Sequence, residues 1–267
     1  MNNPTSTDAT FLDRIVATKI REVAERKTTR PIDELKQSVF FHRKCLSLKE
    51  SLQQSTTGII SEFKRKSPSK GWIHENANLK SIVTGYQEAG ASGISILTDT
   101  DFFGGSTDDL KSVRDLISIP ILRKDFILDE YQLYEAKAIG ADVVLLIAAV
   151  NDAEKTKNLA KKAHELGLEV LLEIHNELEL GHLNDFVDIV GINNRDLKTF
   201  QVNLQTSRDL CEKIPAHLLK ISESGISNPE TVKDLRNLGF RGFLMGENFM
   251  KTQNPAETLH QFIRQIS

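Results

Sequence analysis

Short, almost unbroken apolar runs recur along this chain at intervals of roughly 20 to 35 residues, the size of a strand plus a helix. The runs are Gly58–Phe63, Gly93–Leu97, Ile119–Leu122, Asp142–Ala149, Leu168–Ile174, Ile189–Asn193, Leu218–Ser222 and Gly242–Met245. Most are too short for helices, and continuous apolar character is what strands covered on both faces require. Between them lie amphipathic segments with helix-start signals at Asp108-Asp109, Asp129-Glu130 and Asn151-Asp152. Asn228-Pro229-Glu230 and Asn254-Pro255-Ala256-Glu257 add a proline in the first turn. Glycines stand where helix should return to strand, at Gly90, Gly140, Gly167 and Gly239. Eight evenly sized units predict an α/β fold, a single (β/α)8 barrel; a doubly wound open sheet is the alternative, less suited to eight equal units.

Residues 1–50 precede the first strand. From Phe11 to Lys27, apolar residues at Leu12, Ile15, Val16, Ile20 and Val23 have helical spacing, with charges on the other face. This segment is too small for its own core, so residues 1–50 are expected to form an N-terminal helical extension of one structural domain whose barrel spans 51–267. From pattern alone it could equally lie over the mouth of the barrel or plug its bottom.

Composition narrows the class. Of 267 residues, 27% are charged and 39% hydrophobic, with a net charge of −3. No basic excess argues for nucleic acid. The longest apolar run, Val143–Val150, is far too short for a bilayer, and the opening MNNPTSTDAT lacks the basic start and apolar stretch of a signal peptide. Cys45 and Cys211 are the two cysteines, and no Cys/His cluster has metal-ligand spacing. A cytoplasmic protein without metal or cofactor is expected, with no membrane or nucleic-acid partner.

In such a barrel the reactive groups sit at the C-terminal ends of the strands. The first strand ends in Glu62, Lys64 and Lys66, which alternation places on one face with Phe63 and Arg65 opposite. Ser67-Pro68-Ser69-Lys70-Gly71 follows, a combination of hydroxyls, rigid turn and glycine suited to holding an anion. A solvated basic loop is the bland alternative. The other strand ends offer Thr98-Asp99, Arg123-Lys124-Asp125, Glu173 and His175, Asn193-Asn194-Arg195, Ser222-Glu223-Ser224-Gly225 and Gly246-Glu247-Asn248. Singly, each has a structural explanation: Arg123 or Lys124 could neutralise Asp125 or Asp99, Asp99 could cap a loop, and a lone histidine is usually a structural hydrogen bonder. Together, polar groups converging from every strand end argue for a site. Ser224-Gly225 and Gly246-Glu247, closed by Lys66 and Ser67, form one expected subsite for phosphate. Glu62, Lys64, Lys124, Glu173, Asn193 and Arg195 form the other, where lysines among carboxylates suit acid–base work. The local basic excess suits a doubly anionic small substrate. A phosphosugar-type enzyme with acid–base lysines is as far as spacing leads.

At these residues the sequence resembles the indole-3-glycerol phosphate synthase family of tryptophan biosynthesis. The resemblance runs from Leu12-Asp13-Arg14-Ile15-Val16 to the last strand, through SEFKRKSPSKG, LTDTDFFGGS, ILRKDFILDEYQ, LLEIHN, GINNRDLKTF and SESGI. It implies a cofactor-free (β/α)8 barrel that converts 1-(2-carboxyphenylamino)-1-deoxyribulose 5-phosphate to indole-3-glycerol phosphate, carbon dioxide and water. It also implies roles. Lys124 would protonate the ketone oxygen, Lys64 pair with the anthranilate carboxylate, Glu173 act as base, and Glu62 orient the lysines or assist dehydration. Asn193, Arg195 and Ser224 would hold the substrate, Lys66, Ser67, Gly225, Gly246 and Glu247 its phosphate, and Phe126 its ring. Which lysine serves each proton transfer is left open. Asn248-Phe249 departs from the family's serine-leucine pair, which puts side-chain contacts to phosphate in doubt. Trp72 either covers the ring or packs on a neighbour.

Two other functions compete: a Schiff-base lysine aldolase, and a phosphosugar-binding barrel without catalysis. A sugar-phosphate isomerase suits a glutamate with two lysines less well. A monomer or weak homodimer is expected.

Overall fold

A computed structural model describes residues 9–267; the first eight, part of the segment read for a signal peptide, lie outside the described residues. Eight parallel strands close into a barrel: β1 (Ile59–Phe63), β2 (Gly93–Leu97), β3 (Ile121–Lys124), β4 (Val143–Ile147), β5 (Glu169–Ile174), β6 (Ile189–Asn193), β7 (Leu219–Glu223) and β8 (Gly242–Met245). β8 pairs with β1, with Ile60 opposite Leu244, and removes every sheet edge. The fold is therefore a (β/α)8 barrel. Two strands are displaced from their apolar runs in a way that matters. β3 begins after Pro120, which has no N–H to give to the ladder although its carbonyl accepts that of Ile94 at 2.9 Å, and it runs on to Lys124, which therefore lies on the strand itself. β7 extends one residue further, to Glu223.

Side chains alternate between two cores. Ile60, Leu122, Leu145, Leu171, Ile221 and Leu244 fill the barrel interior, and Ile94, Ile96, Val144, Val190 and Phe243 face the helices. The expected caps are present: Asp129, Asp152, Asn228 and Asn254 each accept a backbone N–H from the first turn of their helix. Ser106, rather than Asp108-Asp109, caps the helix Thr107–Val113. The link after β5 is a 3-10 turn, Glu177–His182, not an α-helix. That segment is short, and Gly181 and Asn184-Asp185 interrupt it.

The extension does both things the sequence left open. Helix α1 (Phe11–Thr29), started by a capping box of Thr10 and Asp13, lies over the C-terminal ends of the strands, where Phe11, Leu12 and Ile15 line the central cavity. Helix α2 (Leu48–Gln54) plugs the opposite end. Leu48 and Leu52 enter the interior core beside Gly93 and Gly242, where a Cβ on Gly93 would sit 2.6 Å from Leu48. The carboxylate of Glu169, at the start of β5, accepts the N–H groups of Leu48 and Lys49 at 2.8 and 3.0 Å and holds that helix in place. Among the described residues no helix is long and apolar enough to cross a membrane.

Candidate active site

The inward positions at the top of the strands open into a cavity of about 610 Å³ beneath α1. Alternation within β1 turns Glu62 inward; Lys64 lies one residue past the strand, with its Nζ 2.5 Å from Glu62 Oε1. Phe63 and Arg65 face away, Arg65 forming a bidentate pair with Asp109. Lys124, from β3, reaches the axis of the barrel, 2.6 Å from Glu173 Oε2 on β5 and 3.2 Å from Glu223 Oε2 on β7. Asn193 of β6 donates its amide to Glu173 Oε1 at 3.0 Å and accepts the Arg195 N–H at 3.0 Å.

These groups perturb one another. Burial opposes the charge on Lys124, but the carboxylates of Glu173, Glu223 and Glu62 outweigh it and hold the ammonium well above the ordinary lysine range. Burial likewise opposes ionisation of Glu173, yet Lys124 and His175 hold it well below the usual carboxylate range. For Glu223 burial dominates, reinforced by Glu173 and Glu62 against the pull of Lys124, and the carboxyl is pushed up to about 7.

Glu223 was not among the residues selected from sequence. It stood in the Ser222–Gly225 run, but an apolar run judged to stop at Ser222 left its inward orientation unread. Two glycines make room for the carboxylates. A Cβ on Gly191 would collide with Glu223 Oε1, and one on Gly246 would lie 2.6 Å from Glu62 Oε1. Because Glu223 binds a proton more tightly in the folded chain than unfolded, its contribution to stability is lost as pH rises from about 4.5 to 7. Glu223→Gln removes that contribution. Measured by urea unfolding at pH 5 and pH 8, the variant should gain on the wild type by up to about 3 kcal/mol at the higher pH.

Most of the other expected residues also meet here. Ser67, Phe126, Arg195, Ser224, Gly225, Gly246 and Glu247 line the cavity, with Lys70 and Asn248. Phe126 is buried against Phe103, ring centroids 6.1 Å apart. Arg195 donates to the Phe200 carbonyl at 3.2 Å and approaches Glu247 at 3.7 Å. Ser224 and Phe200 are the non-glycine residues with left-handed backbone among those described, at φ 66° and 60°, and both line the cavity. Such strain persists where surroundings impose it, and Asn194 does so by donating to the carbonyls of Glu223 and Ser224.

Lys66 stands apart from these. It does not line the cavity; its Nζ donates to the Asp101 carbonyl at 3.0 Å and lies 5.6 Å over the Trp72 ring. Strict alternation ends with β1 at Phe63, and Lys66 belongs to a short ribbon in which it pairs with Trp72. Trp72, half exposed, packs there and does not reach the cavity. Asp99 caps a loop, accepting the Phe102 N–H at 2.9 Å, and Arg123 neutralises Asp125 at 3.0 Å on the outer face of the barrel. Among the described residues, no group of three His, Cys, Asp or Glu is placed to hold a metal ion.

The geometry can thus keep one ammonium charged at the barrel axis between two carboxylates, beside a second lysine–glutamate pair, under an apolar roof. Comparison with known proteins points to one family. A model of the family described as indole-3-glycerol phosphate synthase matches residues 12–262. The chain is 52% identical over 256 residues to the indole-3-glycerol phosphate synthase of Bacteroides thetaiotaomicron, covering 96% of this chain and 98% of that one. It is 42% identical to that of Caldanaerobacter subterraneus subsp. tengcongensis, covering 96% and 98%. Among solved structures, 3-hexulose-6-phosphate synthase from Salmonella typhimurium superposes with a TM-score of 0.61 at 15% identity, covering 79% of this chain and 100% of that one, a likeness of fold alone. A family model that spans nearly the whole chain, together with relatives this similar over their full length, establishes that the chain belongs to the indole-3-glycerol phosphate synthase family.

Proposed function

We propose that the chain closes the indole ring of indole-3-glycerol phosphate from 1-(2-carboxyphenylamino)-1-deoxyribulose 5-phosphate, with loss of carbon dioxide and water, in tryptophan biosynthesis. It is a decarboxylating lyase of the cytoplasm. The observation that carries the reading is Lys124, a charged ammonium at the barrel axis within 3.2 Å of two buried carboxylates.

In the first step the ring carbon bearing the carboxylate attacks the ketone carbon, and Lys124 gives its proton to the ketone oxygen. With that proton gone, Glu173 loses the stronger of the two cations that held its pKa down and becomes a better base. The carbon–carboxylate bond then breaks, its electron pair restoring the ring. Lys64, paired with the carboxylate, must release it as neutral carbon dioxide. In the last step the hydroxyl leaves as water with a proton from the Glu62–Lys64 pair, and Glu173 takes the proton from the adjacent carbon and returns it to Lys124. Two protons are given and one recovered, so each turnover consumes one from solvent. Phe126 and Phe103 supply the face for the aromatic ring. Ser67, Gly225, Gly246 and Glu247 frame the phosphate end with Arg195, while Asn193 and Ser224 orient the ribulose hydroxyls.

A Schiff-base aldolase needs a neutral lysine nucleophile, and Lys64 and Lys124, the lysines at the strand ends, are both ion-paired. Purified protein incubated with the carboxyphenylamino-deoxyribulose phosphate should develop indole fluorescence, whereas borohydride with a ketose phosphate should leave no adduct on Lys64 or Lys124. Silence in the first assay with trapping in the second would replace this reading with the aldolase.

A further inference from the structure

We propose that His175 is a positioning residue: an imidazolium, gripped from behind by Glu179, that fixes the Glu173 carboxylate for proton transfer. The proposal rests on the reading of Glu173 as the base.

His175 follows β5 two residues after Glu173 and does not line the cavity. Its Nε2 lies 3.2 Å from Glu173 Oε1, close enough for charge pairing but bent away from a straight hydrogen bond. Its Nδ1 lies 3.2 Å from Glu179 Oε2, and that same oxygen accepts the His175 backbone N–H at 2.7 Å. Glu179 is in turn fixed, its other oxygen accepting the Asn176 amide at 2.8 Å. Both ring nitrogens therefore face carboxylates, and a neutral imidazole, with one N–H, would turn a lone pair toward one of them. The groups around Glu173 come from four strands: Lys124 on β3, Asn193 on β6, Glu223 on β7, and His175 beyond the end of β5 itself. Within this ring Lys124 grips Oε2, while Asn193 and His175 share Oε1. Burial works against the imidazolium, yet the two glutamates raise the group to about 10. A fixed cation behind Glu173 has a definite use. When Lys124 gives up its proton, the carboxylate keeps one charged partner and cannot swing toward the emptied amine.

The imidazole signals of His175 by NMR test the charge without reference to activity. They should remain those of an imidazolium through pH 8, and Glu173→Gln should lower the titration midpoint by at least about one unit. His175→Gln can still offer an N–H toward Glu173, whereas His175→Asn is too short. The Asn variant should therefore lose about tenfold in kcat and the Gln variant distinctly less, with KM and melting temperature little changed in both. An imidazole that titrates near the ordinary 6.5, or equal wild-type kcat in both variants, would overturn the proposal. Absence of turnover in the unmodified protein would instead sink the reading of the reaction, and the NMR titration would still decide whether His175 is the cation described.

Discussion

Lys124→Met should lower turnover by about a thousandfold while leaving substrate affinity nearly unchanged. Methionine fills most of the same volume, so the cavity that Leu145, Ile147 and Leu244 line keeps its shape. What goes is the proton for the ketone oxygen and the cation between Glu173 and Glu223. Glu223, already raised by burial, then holds a proton while His175 still faces Glu173, but Glu173 has no Lys124 to which it can return the proton it takes, which is why the loss should be deep. Binding should survive because Lys64, Arg195 and the loops after β7 and β8 remain. Single-turnover kinetics beside a titration of substrate into the variant separates the two effects. Near-normal turnover would move the acid role to Lys64.

The legible part of the site was the part that lies on regular structure. Strand alternation oriented Glu62, and the apolar runs of β5 and β6 brought Glu173 and Asn193 to the mouth. Glu223 escaped because a single residue at a strand end decides whether a side chain is read as inward or as loop. Lys66 lies apart from Glu62 and Lys64 for the converse reason: alternation ends with the strand at Phe63, and three residues later the chain is in a ribbon with its own pairing. His175 was left among structural histidines, since its two partners come from a turn and a strand neighbour that only the folded chain brings to both nitrogens. The Cβ-free positions at Gly191 and Gly246 carry no periodic signal at all; their meaning is the carboxylate that occupies the space.

The extension shows the same limit with larger consequences. Helical periodicity assigned Ile20 to the buried face of α1 and Lys19 to the charged, exposed one. In the structure Ile15, Lys19 and Val23, spaced four apart, face the barrel, and Ile20 is 58% exposed. A fully buried lysine cannot be inferred from a hydrophobic pattern, because two of its partners, Asp99 and Asp125, are remote in sequence and lie just beyond the ends of β2 and β3.

Lys19→Met should therefore cost about 3–5 kcal/mol of stability, the usual loss when one partner of a buried ionic cluster is removed. Lys19 Nζ lies 2.9 Å from Asp99 Oδ2, 3.1 Å from Asp125 Oδ1 and 2.8 Å from Glu22 Oε2, with its side chain 1% exposed. Asp125 retains Arg123 and the Thr98 hydroxyl without it, but Asp99 has no other cation within pairing distance among the described residues. Burial already raises the Asp99 carboxyl against the pull of Lys19, so removing the lysine drives it to bind a proton. That sets the pH dependence. A carboxyl raised in the folded state stabilises at low pH and loses its contribution as pH rises, so the deficit of Lys19→Met should be smaller at pH 5 than at pH 8. Adding Asp99→Asn should restore part of the loss at pH 8, since no buried charge is then left unpaired. Thermal or urea unfolding of the three proteins at both pH values checks this directly. Because Asp125 adjoins Lys124 in sequence, the double variant also separates the two jobs of the cluster: recovered stability with turnover still low would mean that α1 sets the position of the acid, whereas recovery of both would mean that Lys19 only anchors the helix.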